Sequence, residues 1–159
     1  MRGIILFKDV DDAHLAALWP RFRERRLRPR ELLFRAGDPG EELFLIRKGT
    51  IVVSTPVKGR VEQVLARLGP GDFFGEMSLF DAEPRSATVQ AEADAALLGL
   101  DRANLLQFIE ANPRAAAAFF YQLVYVFSRR LRASTSLVAE VTRWGLEATG
   151  LDADSPLPE

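Results

Sequence analysis

A chain of 159 residues with 48% hydrophobic side chains has the length and composition of one globular domain, burying about two-thirds of its unfolded surface. It contains no cysteine and one histidine, which excludes a disulfide framework, a thiolate metal site and a cysteine nucleophile. A formal net charge of −1 leaves no overall basic field to draw in nucleic acid.

The N-terminal apolar run from Ile4 to Phe7 ends at Lys8 and is too short for a secretory core. No stretch approaches the ~20 apolar residues of a spanning helix. The sequence therefore reads as a cytoplasmic protein with no membrane association. Asp9 or Asp11 can cap a first helix whose apolar residues Leu15, Leu18, Trp19 and Phe22 follow helical spacing, with Pro20 kinking or dividing it. From Arg25 to Leu100 the pattern changes to short strands, among them Leu32–Phe34, Leu43–Ile46, Ile51–Val53 and Val61–Leu68. Turn residues at Gly37-Asp38-Pro39-Gly40, Lys48-Gly49, Lys58-Gly59 and Gly69-Pro70-Gly71-Asp72 separate them, the spacing of a β-sandwich or jelly-roll barrel. Gly37 and Gly49 are read as hairpin residues with positive φ that serve the fold, not the chemistry.

After Asp101, which can cap a short helix to about Glu110, Asn112-Pro113 breaks the chain. A long helix from about 114 to 148 follows, roughly 50 Å at 1.5 Å per residue. Val124, Phe127, Leu131, Ser134, Val138 and Val141 alternate by three and four, as a dimer seam does. The acidic, proline-bearing residues 150–159 read as a disordered tail. The expected organisation is one domain over 1–149, with the barrel at about 25–100.

The run Phe73 to Val89 carries the chemistry. Gly75 lets the backbone approach a ligand, Glu76 can accept from a sugar hydroxyl, and Arg85 offers a planar fork of donors to phosphate oxygens. Ser86 adds a hydroxyl, and the small Ala87 leaves its backbone N–H open. Met77 to Phe80 can form one helical turn with free N–H groups.

Phe74-Gly75-Glu76-Met77-Ser78 and Pro84-Arg85-Ser86-Ala87-Thr88-Val89 resemble the two halves of the phosphate-binding cassette of the cyclic nucleotide-binding domain family. The resemblance implies a mainly β fold, a jelly-roll barrel with an N-terminal helix and a long C-terminal helix. It implies a ligand rather than a cofactor: cAMP, or less readily cGMP, held at phosphate and ribose by Gly75, Glu76, Met77, Arg85, Ser86 and Ala87. In the activator-protein branch, two hydroxyl residues after an Arg-Arg-Leu touch adenine. Here Arg129-Arg130-Leu131 precedes Ser134 and Thr135, which take those positions. Mid-helix hydroxyls can equally bond their own i−4 carbonyls. Val64 and Leu65 could stack on the purine, though no pattern singles them out.

Only about a dozen residues follow the helix, too few for the DNA-reading pair of helices of that branch. The expectation is a stand-alone, non-enzymatic sensor: a homodimer through the long helix, with no direct DNA contact, that passes a helix rearrangement to a separate effector protein. The alternatives are a dimerising scaffold that has lost its ligand, or a sensor module cut from a larger transcription regulator or channel. A cupin-like metal enzyme would need several histidines, and the chain has only His14. Hydrolysis would need a metal set or an activated water, and Glu76, Asp81 and Glu83 form no evident cage.

Overall fold

The computed structural model describes residues 4–56, 62–80 and 83–148. The expected turn at Lys58-Gly59, residue Val61, Asp81, the tail 150–159 and the side chain of Val141 lie outside the described residues.

Of the two candidate caps, Asp11 is the one used: its carboxylate accepts from the His14 amide at 2.9 Å and opens α1 (Asp12–Leu18). The helix stops earlier than the apolar spacing suggested. Pro20 can neither donate an amide nor fit against the preceding turn, so a 3-10 turn takes over at Trp19–Arg21 and leaves Phe22 extended.

Eight strands follow: β1 (Arg23–Leu27), β2 (Leu32–Phe34), β3 (Glu42–Lys48), β4 (Ile51–Pro56), β5 (Glu62–Leu68), β6 (Phe73–Phe74), β7 (Thr88–Ala91) and β8 (Ala95–Asp101). They form two four-stranded sheets in the orders β1-β8-β3-β6 and β2-β7-β4-β5. Every pairing is antiparallel. This is the jelly-roll arrangement the sequence led us to expect. Its inner faces close on Leu27, Phe44, Ile46, Ile51, Phe74, Val89 and Leu97, each worth about 1.5–3 kcal/mol when fully buried. Gly37 and Gly49 both have φ of +88°, the left-handed conformation their turns require.

Asp101 caps α3 (Arg102–Ala111), accepting from the Asn104 amide at 2.8 Å. Pro113 then starts α4 (Pro113–Ala148), a helix of 36 residues. Two compact units divide the chain between Phe120 and Tyr121. In the first, Phe7 stacks on Phe119 with ring centroids 5.8 Å apart and meets Phe22 edge-on at 6.1 Å. The start of α4 is thereby packed with the N-terminal segment. In the second unit, Val124, Leu131 and Val138 stand exposed at heptad spacing on α4.

Candidate functional site

The pairing of β6 with β3, Phe74 opposite Phe44, delivers the chain to Gly75. There φ is +79°, and a Cβ would stand 2.7 Å from the Glu42 carbonyl oxygen and 2.8 Å from Arg85 Nη1. Only glycine fits both the conformation and the space. The turn leads into α2 (Met77–Phe80), where the Leu79 amide donates to the Glu76 carbonyl at 3.2 Å.

Arg85 is the centre of the site. It is not a surface residue: only 6% of it is exposed. Its Nη1 donates to the carbonyls of Glu42 at 2.8 Å and Gly75 at 3.1 Å, and to Ser78 Oγ at 3.0 Å. Its Cζ lies 4.3 Å from the centre of the Phe34 ring and 5.8 Å from that of Phe44, so the cation rests on aromatic faces. The backbone is pinned from both directions. Arg85 N donates to the Asp38 carbonyl at 2.9 Å, and Gly37 N donates to the Arg85 carbonyl at 2.8 Å. The turn at Gly37 therefore serves the site as well as the fold.

Burial pushes the Arg85 guanidinium below its ordinary pKa, while the Glu42 and Glu76 carboxylates oppose that shift. Nε is buried and has no hydrogen-bond partner. An unsatisfied buried donor costs about 1–3 kcal/mol, more when charged. Arginine stays protonated even so. A cation held deep in the fold with a donor unspent is suited to an anion that brings its own acceptors.

Glu76 is also buried, and its carboxylate is near enough to favour the Arg85 charge. Met77 and Ser86 meet across its two halves, with Ser86 Oγ donating to Met77 Sδ at 3.6 Å, and Ala87 is half-buried. The structure thus gathers Gly75, Glu76, Met77, Arg85 and Ser86 around one place. Ser134 and Thr135 lie exposed on α4 in the second unit. The Thr135 hydroxyl donates to the Leu131 carbonyl at 3.0 Å, the local i−4 bond open to any mid-helix threonine. Val64 and Leu65 are exposed on β5.

Sequence reasoning passed over Phe34, Gly40, Glu42 and Phe44 as parts of the site, and gave Ser78 no role beyond its place in the motif. A Cβ at Gly40 would collide with Arg85 Nε, so that glycine makes room for the guanidinium. Glu42 contributes a backbone carbonyl, which leaves no trace in residue type. His14 is engaged with its own cap, 2.7 Å from Asp11 Oδ2. Among the described residues no three His, Cys, Asp or Glu side chains group as a metal site, and no helix is long and apolar enough to cross a membrane. A recess of about 710 Å³ lined by Glu24, Arg26, Arg28, Arg47, Lys48 and Asp94 shares no residue with the cassette. Arg26 there is paired with Glu24 at 2.8 Å, so cations and carboxylates offset one another.

The two-sheet barrel and the buried arginine behind a short helical turn define a regulatory, ligand-binding module. Residues 24–112 match the family model described as the cyclic nucleotide-binding domain. The chain belongs to that family. It is 40% identical over 110 residues to a cyclic AMP receptor protein of Thermus thermophilus, covering 69% of this chain and 49% of that protein. It is 37% identical over 117 residues to a cyclic nucleotide-gated potassium channel of Mesorhizobium japonicum, covering 74% of this chain and 31% of the channel. Among solved structures, the Thermus thermophilus catabolite activator protein superposes with a TM-score of 0.77 at 31% identity, covering 87% of this chain and 63% of that one. The chain thus spans half or less of the length of these two relatives.

Proposed function

We propose that the chain binds a cyclic mononucleotide, cAMP in preference to cGMP, and acts as a regulatory sensor. The observation that carries this reading is Arg85: a buried cation held by three hydrogen bonds from Nη1, with an unpartnered Nε. The cyclic phosphate supplies the anion, with Ser86 and the N–H groups of Gly75, Glu76 and Ala87 as further donors and Met77 continuing the cradle. Glu76 takes the ribose 2′-hydroxyl. The preference for cAMP rests on Ser86 at a position where the family's cGMP readers often carry Thr, and on Ser134 and Thr135 as base contacts. The Thermus relative is likewise named for cyclic AMP.

Calorimetric titration with cAMP, cGMP, 2′-deoxy-cAMP and a cyclic dinucleotide tests the reading. The tightest binding is expected for cAMP. The deoxy analogue should bind at least about tenfold more weakly, because it lacks the hydroxyl that donates to the Glu76 carboxylate. Absence of heat with every nucleotide would favour the ligand-free scaffold.

The same proposal includes output through α4. The Phe80 ring at the end of α2 lies 5.9 Å from that of Phe120 in the early turns of α4, so a shift of the cassette turn bears directly on that helix. The exposed stripe of Val124, Leu131 and Val138 supports pairing with a second copy, which in turn acts on a separate effector. Nucleotide moves such an equilibrium only by its differential affinity for the two states. Leu131→Glu is expected to convert a dimer to a monomer by light scattering. It should also abolish the added hydrogen-exchange protection that cAMP gives to α4 in the wild type. A wild-type monomer, or exchange indifferent to cAMP, would remove this part of the proposal.

A further inference from the structure

The Met77–Ser86 contact adds a property that ligand binding alone does not require. Ser86 is the hydroxyl assigned to the phosphate, and Met77 is 52% exposed beside it, its sulfur 3.6 Å from Ser86 Oγ. A thioether is a weak acceptor, so the hydroxyl is easily given up to a phosphate oxygen. Resting on the nucleotide reading above, we propose that Met77 is an oxidative modification site that gates this pocket.

The sulfur lone pair takes one oxygen from a peroxide. The O–O bond breaks, an S=O bond forms, and the second peroxide oxygen leaves as water; sulfur is oxidised and the peroxide reduced. The product is a methionine sulfoxide, polar where the thioether was apolar. Its oxygen is a strong acceptor carried on the atom already facing Ser86. It holds the hydroxyl that the phosphate needs and places negative partial charge beside the anion's seat. Both effects oppose binding.

The composition makes the site selective. The chain has no cysteine, and the only other methionine is Met1. A peroxide therefore meets no thiol that would react first, and Met77 is well exposed to it. Methionine sulfoxide reductases reverse the change, so the gate can be reset.

The experiment compares each protein with itself before and after mild hydrogen peroxide, with peptide mass mapping to place the added oxygen. For the wild type, affinity for cAMP is expected to fall about tenfold, the value of one hydrogen bond to a charged group. Treatment with methionine sulfoxide reductases should restore it. Met77→Leu should show no peroxide-dependent change, whatever its starting affinity. Unchanged wild-type affinity after oxidation at Met77 overturns the proposal, and so does an equal loss in Met77→Leu. No cAMP binding by the untreated wild type overturns the nucleotide reading and this inference with it.

Discussion

Arg85→Ala is expected to weaken cAMP binding by at least about a hundredfold. Charge-assisted hydrogen bonds contribute about 1.5–3 kcal/mol each, and a planar fork makes two at once to a phosphate. Loss of about 3 kcal/mol corresponds to roughly two decades in Kd. The same substitution strips the donor from the Glu42 and Gly75 carbonyls and from Ser78 Oγ. The empty protein should therefore lose about 1–3 kcal/mol of stability, offset in part by removal of a desolvated cation and its orphan Nε. Arg85→Lys separates the two effects. It keeps a charge and loses the fork, so it should recover stability further than affinity. A folded Arg85→Ala protein, checked by thermal melting, that binds cAMP like the wild type would refute the phosphate role.

Much of this site was legible from one contiguous stretch. Gly75, Glu76, Arg85 and Ser86 are close in sequence and declare their chemistry by residue type. What supports Arg85 was not legible, because Phe34, Gly40 and Glu42 arrive from strands far along the chain and act through a ring face, an absent side chain and a carbonyl. The strands divided in the same way. β2 to β5 carry apolar or alternating runs between turn residues, but Arg23–Leu27 is nearly all charged and exposed, and only its ladder to β8 makes it a strand. Ala95–Asp101, paired on both sides with β1 and β3, reads as a continuous apolar run, which periodicity alone cannot tell from a helix. For the short first helix, Pro20 outweighed the helical spacing of Trp19 and Phe22.

Gly75→Ala should be strongly damaging to both fold and site. An L-residue in the left-handed region costs roughly 1–2 kcal/mol. Here the added carbon also stands 2.7 Å from the Glu42 carbonyl oxygen, which belongs to a strand and cannot swing aside, and 2.8 Å from Arg85 Nη1. Together these should cost about 2–4 kcal/mol, lowering Tm by about 5–15 °C at this chain length. Affinity for cAMP should fall with it, because the guanidinium is displaced. Gly69→Ala is the internal control: its added carbon meets nothing within 4 Å, so Tm should move by no more than about 2 °C. Equal melting temperatures for the two variants would contradict the crowding described at Gly75.

The bond from Arg85 to the Glu42 carbonyl joins residues 43 positions apart, and the turn at Gly37-Asp38 reaches across a similar span to hold the Arg85 backbone. The proposed grip on a nucleotide is therefore a property of barrel closure rather than of a linear peptide. Cut out and grafted elsewhere, the stretch from Phe73 to Val89 would carry its arginine without the seat that aims it. Closing so long a loop has an entropic cost that local bonds do not have to meet. The pocket therefore exists only while β3 and the turn at Gly37 stay closed around Arg85.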